Sequence, residues 1–279
     1  MILTEQLITA ADELAPPNRP VMLHASLGSF RAHIAGGADA LLDALLTRNR
    51  TVLVPTFTEP QFSLAAPTTL RPKRNGIDYT KPSAAPTQSE GTVYTVDCGL
   101  INPHLGVFPA TLINRAGAVR GTHPLNSFAA LGPLADKLIS EQSPADVYGP
   151  IRELAAHEGK IILIGVGLNR MTALHLAEQQ SGRRPFLRWA RAADSRVSMV
   201  EVGSCSEGFP RLEPELHPYA QTAVVGASLW RAYPARQTLT AATAAITADQ
   251  SITHCPDSDC PLCRDSIAGG PIETLHQRV

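Results

Sequence analysis

Residues 161–166 read IILIGV, six apolar residues closed by Gly167, and they constrain the fold more than any other stretch. The run is far shorter than the roughly 20 apolar residues that cross a bilayer. It therefore predicts a short strand in a core. A helix follows almost at once over residues 172–180, with Asn169 as its expected cap and Gly182 at its end. The same alternation occurs earlier. Residues Thr4–Leu14 place Leu7, Ile8, Ala11 and Leu14 on one helical face and stop before Pro16-Pro17. A strand is expected at 21–23, a helix at 38–46 from the spacing of Leu41, Leu42, Leu45 and Leu46, and a strand at Thr51–Pro55. Alternating strands and helices specify an α/β chain with a parallel or mixed sheet.

Further helices are expected at 133–141 and 150–157, and an Ala-rich helix over 219–248. Residues 57–104 break the alternation with Pro, Thr, Ser and Lys-Arg. That is too long for a plain connection and predicts a functional insertion or lid in contact with substrate. There is no internal repeat, heptad pattern or strong linker. The 279 residues read as one domain with the insertion at 57–104 and a Cys-rich appendage at 250–279.

Composition removes several functional classes. At 44% apolar and 18% charged, the chain is not a solvated disordered tail. Its 24 basic and 25 acidic residues leave a net charge of -1, and no basic stripe alternates with aromatics as phosphate-backbone binding requires, so nucleic acid is excluded as a partner. No run spans a membrane. The first residues, MILTEQLITAADEL, carry acids where a secretory leader has a basic segment and an apolar block, so a cytoplasmic location is expected.

Four constellations can carry chemistry. His24-Ala-Ser26-Leu27-Gly28-Ser29-Phe30 is a turn after a buried strand, with two hydroxyls and backbone N–H groups that can cradle phosphate; an ordinary Ser/Gly turn is the alternative. Arg120, His123 and Ser127 lie in an aperiodic segment. They can pair a phosphate or hold a catalytic loop, or serve as a structural loop with His123 bonded to backbone. Thr172, His175 and Glu178 are spaced three apart on a helix, so neighbours can share one cleft. A histidine beside a carboxylate is what a general base needs, and a core histidine is the alternative.

The fourth is cysteine chemistry. Five cysteines are an odd number, and Cys255, Cys260 and Cys263 form a Cys-x4-Cys-x2-Cys cluster that suits metal better than a secreted disulfide framework. Cys205 is the candidate fourth thiolate and His254 its competitor. A closed tetrahedral zinc site would be structural, and reduced packing thiols are the alternative. Cys98 is a lone thiol with no base near it in sequence.

In order along the chain, VMLHASLGSF with GGADALLDALL, TVLVPTFT, GVFPATLINRAGAVRGTHPLNSFAALGP, GPIRELAAHEGKIILIGVGLNRMTALHLAE and GSCSEGFPRL resemble the antibiotic N-acetyltransferase family, typified by the aminoglycoside 3-N-acetyltransferases. The resemblance covers most of residues 20–250. It implies a three-layer α/β/α fold around a central mixed sheet, and acetyl transfer from acetyl-coenzyme A to an amino group of an amino-sugar antibiotic. It places the family's histidine on His175 as general base, with Glu178 orienting it and Thr172 bonding the thioester oxygen. It puts the coenzyme turn on residues 24–30 and a second cleft-bordering loop on Arg120, His123 and Ser127.

Two departures modify that expectation. The insertion lacks the family's Asp-Pro…Thr-Pro-Ser stretch, and Ala110 stands where an acidic residue is expected. Arg71, Lys73 and Arg74 stand beside only Glu59, Asp78, Glu90 and Asp97 within the insertion, so a less cationic acceptor is expected, such as a kasugamycin-like amino sugar, with the 3 and the 2′ amino groups as the alternative positions of acetylation. A homodimer is allowed. The competing readings are a zinc-stabilised binding protein without activity and a hydrolase using Cys98 or Ser26 as nucleophile.

Overall fold

The computed structural model describes residues 1–81, 93–191 and 197–272. Its strands are β1 (Pro20–Ala25), β2 (Thr51–Pro55), β3 (Ser63–Leu64), β4 (Val119–Arg120), β5 (Phe128–Leu131), β6 (Lys160–Ile164), β7 (Phe186–Arg191), β8 (Val197–Val202), β9 (Gln221–Val225) and β10 (Ser228–Pro234). Seven of them form one sheet in the order β4-β5-β2-β1-β6-β10-β9. The three central strands β2, β1 and β6 are parallel, and their neighbours β5 and β10 run antiparallel to them. The sheet is therefore mixed.

Helices cover both faces: α1 (Thr4–Leu14), α2 (Gly37–Leu46), α3 (Phe108–Ile113), α4 (Ala135–Ser140), α5 (Gly149–Ala156), α6 (Ala173–Gln180), α7 (Glu213–Leu216) and α8 (Ala235–Ala248), with α9 (Pro261–Ile267) beyond them. The period of two in a strand decides which side chain faces which layer. Val21, Leu23, Ile162 and Ile164 pack with Leu7, Leu41, Leu45 and Leu112 of α1–α3. Met22, Ile161 and Leu163 pack with Leu138, Ile151, Leu174 and Leu239 on the other face. Each such fully buried aliphatic side chain contributes about 1.5–3 kcal/mol through removal from water. The fold is three-layer α/β/α.

The expected helix over 219–248 is corrected: only Ala235–Ala248 is helical, and residues 221–234 form the β9–β10 hairpin. Val225 pairs with Ser228, leaving a two-residue loop whose first residue, Gly226, takes φ +60. That geometry matches the right-handed twist of a hairpin. The β-branched Val224 and Val225 and the bulky Trp230 and Tyr233 favour strand over helix, and Trp230 and Tyr233 are fully buried there. Asn169 is also not the helix cap. It lies in a 3-10 turn with its side-chain amide donating to Glu207, and Thr172 stands at the N-cap of α6.

The insertion contributes β3 to a second, three-stranded sheet ordered β3-β7-β8. Part of the insertion, residues 82–92, lies outside the described residues. Among the described residues no helix is long and apolar enough to cross a membrane.

Candidate active site

The parallel strands β1, β2 and β6 run toward one end of the sheet, and a cleft of about 700 Å³ opens there, lined by His24, Ala25, Pro55 and Val166 from the strand exits. Ligands of open α/β sheets collect outside the carboxyl ends of the strands. One wall is the turn after β1, another the segment from Val166 to His175, and a third comes from the insertion through Phe57, Glu59, Asn102 and His104.

His175 lies one turn into α6. Leu174, Leu176 and Ala177 face the core, which turns His175 outward, and Thr172 one turn earlier reaches the same cleft. His175 Nδ1 is 2.8 Å from Glu178 Oε2. A carboxylate only accepts, so Nδ1 carries a proton, and in the neutral ring the lone pair is on Nε2. The ring stacks at 15° on Tyr148, with centroids 6.2 Å apart, and meets the edge of Phe209 at 4.8 Å.

Glu178 is buried and every oxygen of its carboxylate is occupied. Ser204 Oγ donates to Oε2 at 2.7 Å, and Arg183 Nη1 donates to Oε1 at 2.6 Å. Burial alone would raise its pKa, but the hydrogen bond and charge of His175, the Arg183 guanidinium and the Ser204 hydroxyl together hold it below the usual carboxylate value. Arg183 is itself fixed by Thr253 Oγ1 at 2.8 Å and by the Gln250 carbonyl. An ionised carboxylate thus holds one tautomer of an imidazole whose free edge faces the cleft.

His175, Glu178 and Thr172 lie together as their helical spacing predicts, whereas Ser204, Arg183 and Thr253, which join them, come from 5 to 75 residues away from Glu178. No local pattern marks them. Gly203 was also missed: a Cβ there would lie 3.2 Å from His175 Nε2 and 3.0 Å from the Tyr148 hydroxyl.

The turn after β1 divides in two. His24, Ser26, Leu27 and Gly28 line the cleft, whereas Ser29 and Phe30 do not. Phe30 is buried against Trp230, and Ser29 Oγ is used by the Ser26 carbonyl and by Ser228. They build the turn; Gly165, at φ +62, has no Cβ because Ser29 fills the place. His24 is buried with Nε2 unpartnered, and burial together with the Arg170 charge lowers its pKa to about 3, so the ring is neutral.

Arg120, His123 and Ser127 do not border the cleft, which corrects their expected position. The Arg120 guanidinium donates to the carbonyls of Thr56, Cys98 and Leu100 and stacks on Tyr94, pinning the insertion. Ser127 Oγ donates to the Thr56 carbonyl. His123 is fully buried: Nδ1 accepts the N–H of Leu125 and Asn126, and Nε2 donates to the Glu201 carbonyl at 2.8 Å. Burial lowers its pKa to about 4. Polar residues in an aperiodic segment were here recruited to fix loop backbone.

Glu59 is the single carboxylate among the described residues lining the cleft. Burial pushes its pKa up, partly offset by Arg188 at 3.9 Å. Cys98 sits against Arg120, outside the cleft lining.

The sulfurs of Cys205, Cys255, Cys260 and Cys263 lie within 4.8 Å of one another. Tetrahedral zinc with Zn–S of about 2.3 Å sets sulfurs about 3.8 Å apart, so the donor set fits after a small contraction. His254 does not fall within this group; its Nδ1 donates to the Cys255 carbonyl. Burial and the neighbouring Cys260 and Cys255 push the Cys205 thiol up to about 11, the crowding of thiols that a bound cation relieves.

The fold is that of the aminoglycoside acetyltransferases. The apoenzyme structure of aminoglycoside acetyltransferase AAC(3)-IVa superposes with a TM-score of 0.72 at 22% identity, over 96% of this chain and 97% of that one. AAC-VIa bound to sisomicin gives 0.68 at 22% identity, over 88% and 97%. A family model described as aminoglycoside 3-N-acetyltransferase matches residues 22–247, and the chain belongs to that family. It is 30% identical over 164 residues to aminoglycoside N(3)-acetyltransferase IX of Micromonospora chalcea, covering 57% of this chain and 54% of the relative. It is 42% identical over 76 residues to aminoglycoside N(3)-acetyltransferase VII of Streptomyces paromomycinus, covering 26% of each. The chain thus aligns with about half the length, or less, of these curated relatives.

Proposed function

We propose that this protein transfers the acetyl group of acetyl-coenzyme A to an amino group of an aminoglycoside-type antibiotic, at the 3-amino position for which the family is named, and so confers resistance in the cytoplasm. The observation that carries this reading is the His175–Glu178 pair, held at 2.8 Å on the wall of a cleft at the carboxyl end of the sheet.

An aliphatic amine is mostly protonated near neutral pH, so the site must supply a base and align nitrogen with carbonyl. The acceptor attacks as the free amine, its ammonium proton having gone to solvent, and His175 Nε2 takes the second proton as the nitrogen bonds to the thioester carbon. The carbonyl oxygen gains negative charge, which the Thr172 hydroxyl stabilises. The C–S bond then breaks, the coenzyme sulfur leaves as thiol with the proton from the imidazolium, and the products are the amide and free coenzyme A. Glu178 stabilises the imidazolium and keeps its tautomer, as a carboxylate does for a histidine base elsewhere.

The turn at Ser26, Leu27 and Gly28 supplies the coenzyme wall, where the leading N–H groups of a 3-10 turn have no intrahelical acceptor. Residues of the insertion supply the acceptor wall of the one domain. With Glu59 as its single carboxylate among the described residues, that wall suits an acceptor carrying few ammonium groups. The four cysteines would hold a structural zinc. Its chemistry is that of a cross-link, since four protein ligands leave no position for substrate.

The deciding experiment is coenzyme A thiol release across aminoglycosides of graded amine number, with the product mapped by NMR. Acetylation at the 3-amine of an acceptor with few amines is expected. Binding of acetyl-coenzyme A without thiol release for any acceptor overturns the reading.

A further inference from the structure

The cysteine cluster lies directly behind the base. Ser204, which bonds Glu178 Oε2 at 2.7 Å, immediately precedes Cys205. Thr253, whose hydroxyl is 3.4 Å from Glu178 Oε1 and 2.8 Å from Arg183 Nη1, stands two residues before Cys255. Each oxygen of the carboxylate is therefore held from a segment that ends in a different cysteine ligand. Cys260 and Cys263 come from a third segment at the start of α9, which Asp265 fastens to the insertion by accepting the Gly76 N–H at 2.9 Å. The first two segments also touch, because the Thr253 carbonyl fills the place a Cβ on Gly208 would take.

We infer that the four-cysteine cluster, when it binds zinc, is a positioning device for the His175–Glu178 pair, so that metal occupancy sets turnover and not only stability. The inference rests on the zinc reading above. Bringing four sulfurs from within 4.8 Å to tetrahedral spacing draws the Ser204 and Thr253 segments onto the two sides of the carboxylate. Such outer partners orient a functional side chain as strongly as its first neighbours do. The groups that face His175 are Glu178 on its own helix, Arg183 behind that carboxylate, the Tyr148 phenol at the start of α5, Phe209, and Ser204 after β8. Two of these five, Ser204 and Arg183, are tied to the cluster segments, Arg183 through Thr253. The coenzyme turn at Ser26–Gly28 is on the opposite wall and shares no hydrogen bond with them among the described residues.

The test uses the zinc-loaded full chain, with metal measured by elemental analysis. Removal of zinc by a strong chelator is expected to lower kcat at least tenfold and to move the acid limb of the kcat pH profile, while the Kd for acetyl-coenzyme A changes less than twofold; zinc re-addition restores both. Thr253→Val, which removes a group outside the cleft lining and no sulfur, is expected to keep one zinc per chain and reproduce the shift of the acid limb. Should chelation unfold the chain, Thr253→Val and Ser204→Ala decide. An unchanged kcat and pH profile in zinc-free folded protein, or in both variants, overturns the coupling and leaves the structural zinc standing. A chain that takes up no zinc overturns the zinc reading and the coupling together.

Discussion

Gly203 has no side chain where His175 needs the room: a Cβ built on it would stand 3.2 Å from Nε2, on the edge of the ring that faces the cleft. Gly203→Ala therefore tilts the imidazole away from its aligned position. A fall in kcat of about tenfold or more is expected, in line with the sensitivity of such reactions to misplacement on the order of 1 Å. Titration calorimetry with acetyl-coenzyme A should show near-normal binding. Unchanged turnover would show that the ring does not act through that edge.

His175→Ala removes the proposed proton acceptor. Loss of a positioned general base costs on the order of a hundredfold or more in kcat, with little change in coenzyme affinity. Steady-state kinetics with product analysis measures both, and a variant within threefold of the parent would take His175 out of the reaction.

Glu178→Gln leaves Arg183 buried without its charge partner. Breaking one side of a buried pair costs about 3–5 kcal/mol. Because the native carboxyl titrates below its unfolded value, its contribution is full above about pH 4.5 and is lost as pH falls through the lower native pKa. Urea midpoints from pH 7 to pH 3 should fall less steeply at the acid end for the variant than for the parent. Parallel curves would mean that the pair does not stabilise the fold.

His24 and His123 are neutral in the folded chain, with pKa values lowered to about 3 and about 4. The unfolded chain protonates both near 6.5, so stability is complete above that pH and is lost as pH falls toward the native values. Each contributes up to about 1.4 kcal/mol per pH unit in that window. His123→Asn keeps an acceptor for the Leu125 and Asn126 N–H groups and removes one proton from the difference. Its stability curve between pH 6.5 and 4 should be shallower by about one proton. An identical slope would refute the neutral assignment.

The legible parts of the fold are those set by local periodicity. The helix at Thr4–Leu14 and the strand at Thr51–Pro55 match the reading to the residue, and the β6 run is displaced by one at its start. The contact of His175 with Glu178 is legible because residues three apart on a helix are neighbours. The hairpin at 221–234 was hidden by flanking alanines that suit a helix, although Gly226 and two adjacent valines signal a turn between strands. Arg120, His123 and Ser127 misled because their polarity is spent on buried carbonyls and N–H groups, a use that looks identical to ligand binding until the backbone is in place. Ser204, Arg183 and Thr253 converge on one carboxylate only through tertiary packing.

The small sheet of β3, β7 and β8 joins two tasks. Glu59 stands four residues before Ser63 of β3 and faces Arg188 on β7, while β8 ends at Val202 and delivers Gly203 and Ser204 to the imidazole. The three strands that carry the partner of Glu59 thus also carry Gly203 and Ser204 to His175. On the proposed acetyl-transfer reading, the fit of an acceptor against Glu59 is expected to act on the speed of the reaction more than on how tightly the acceptor is held.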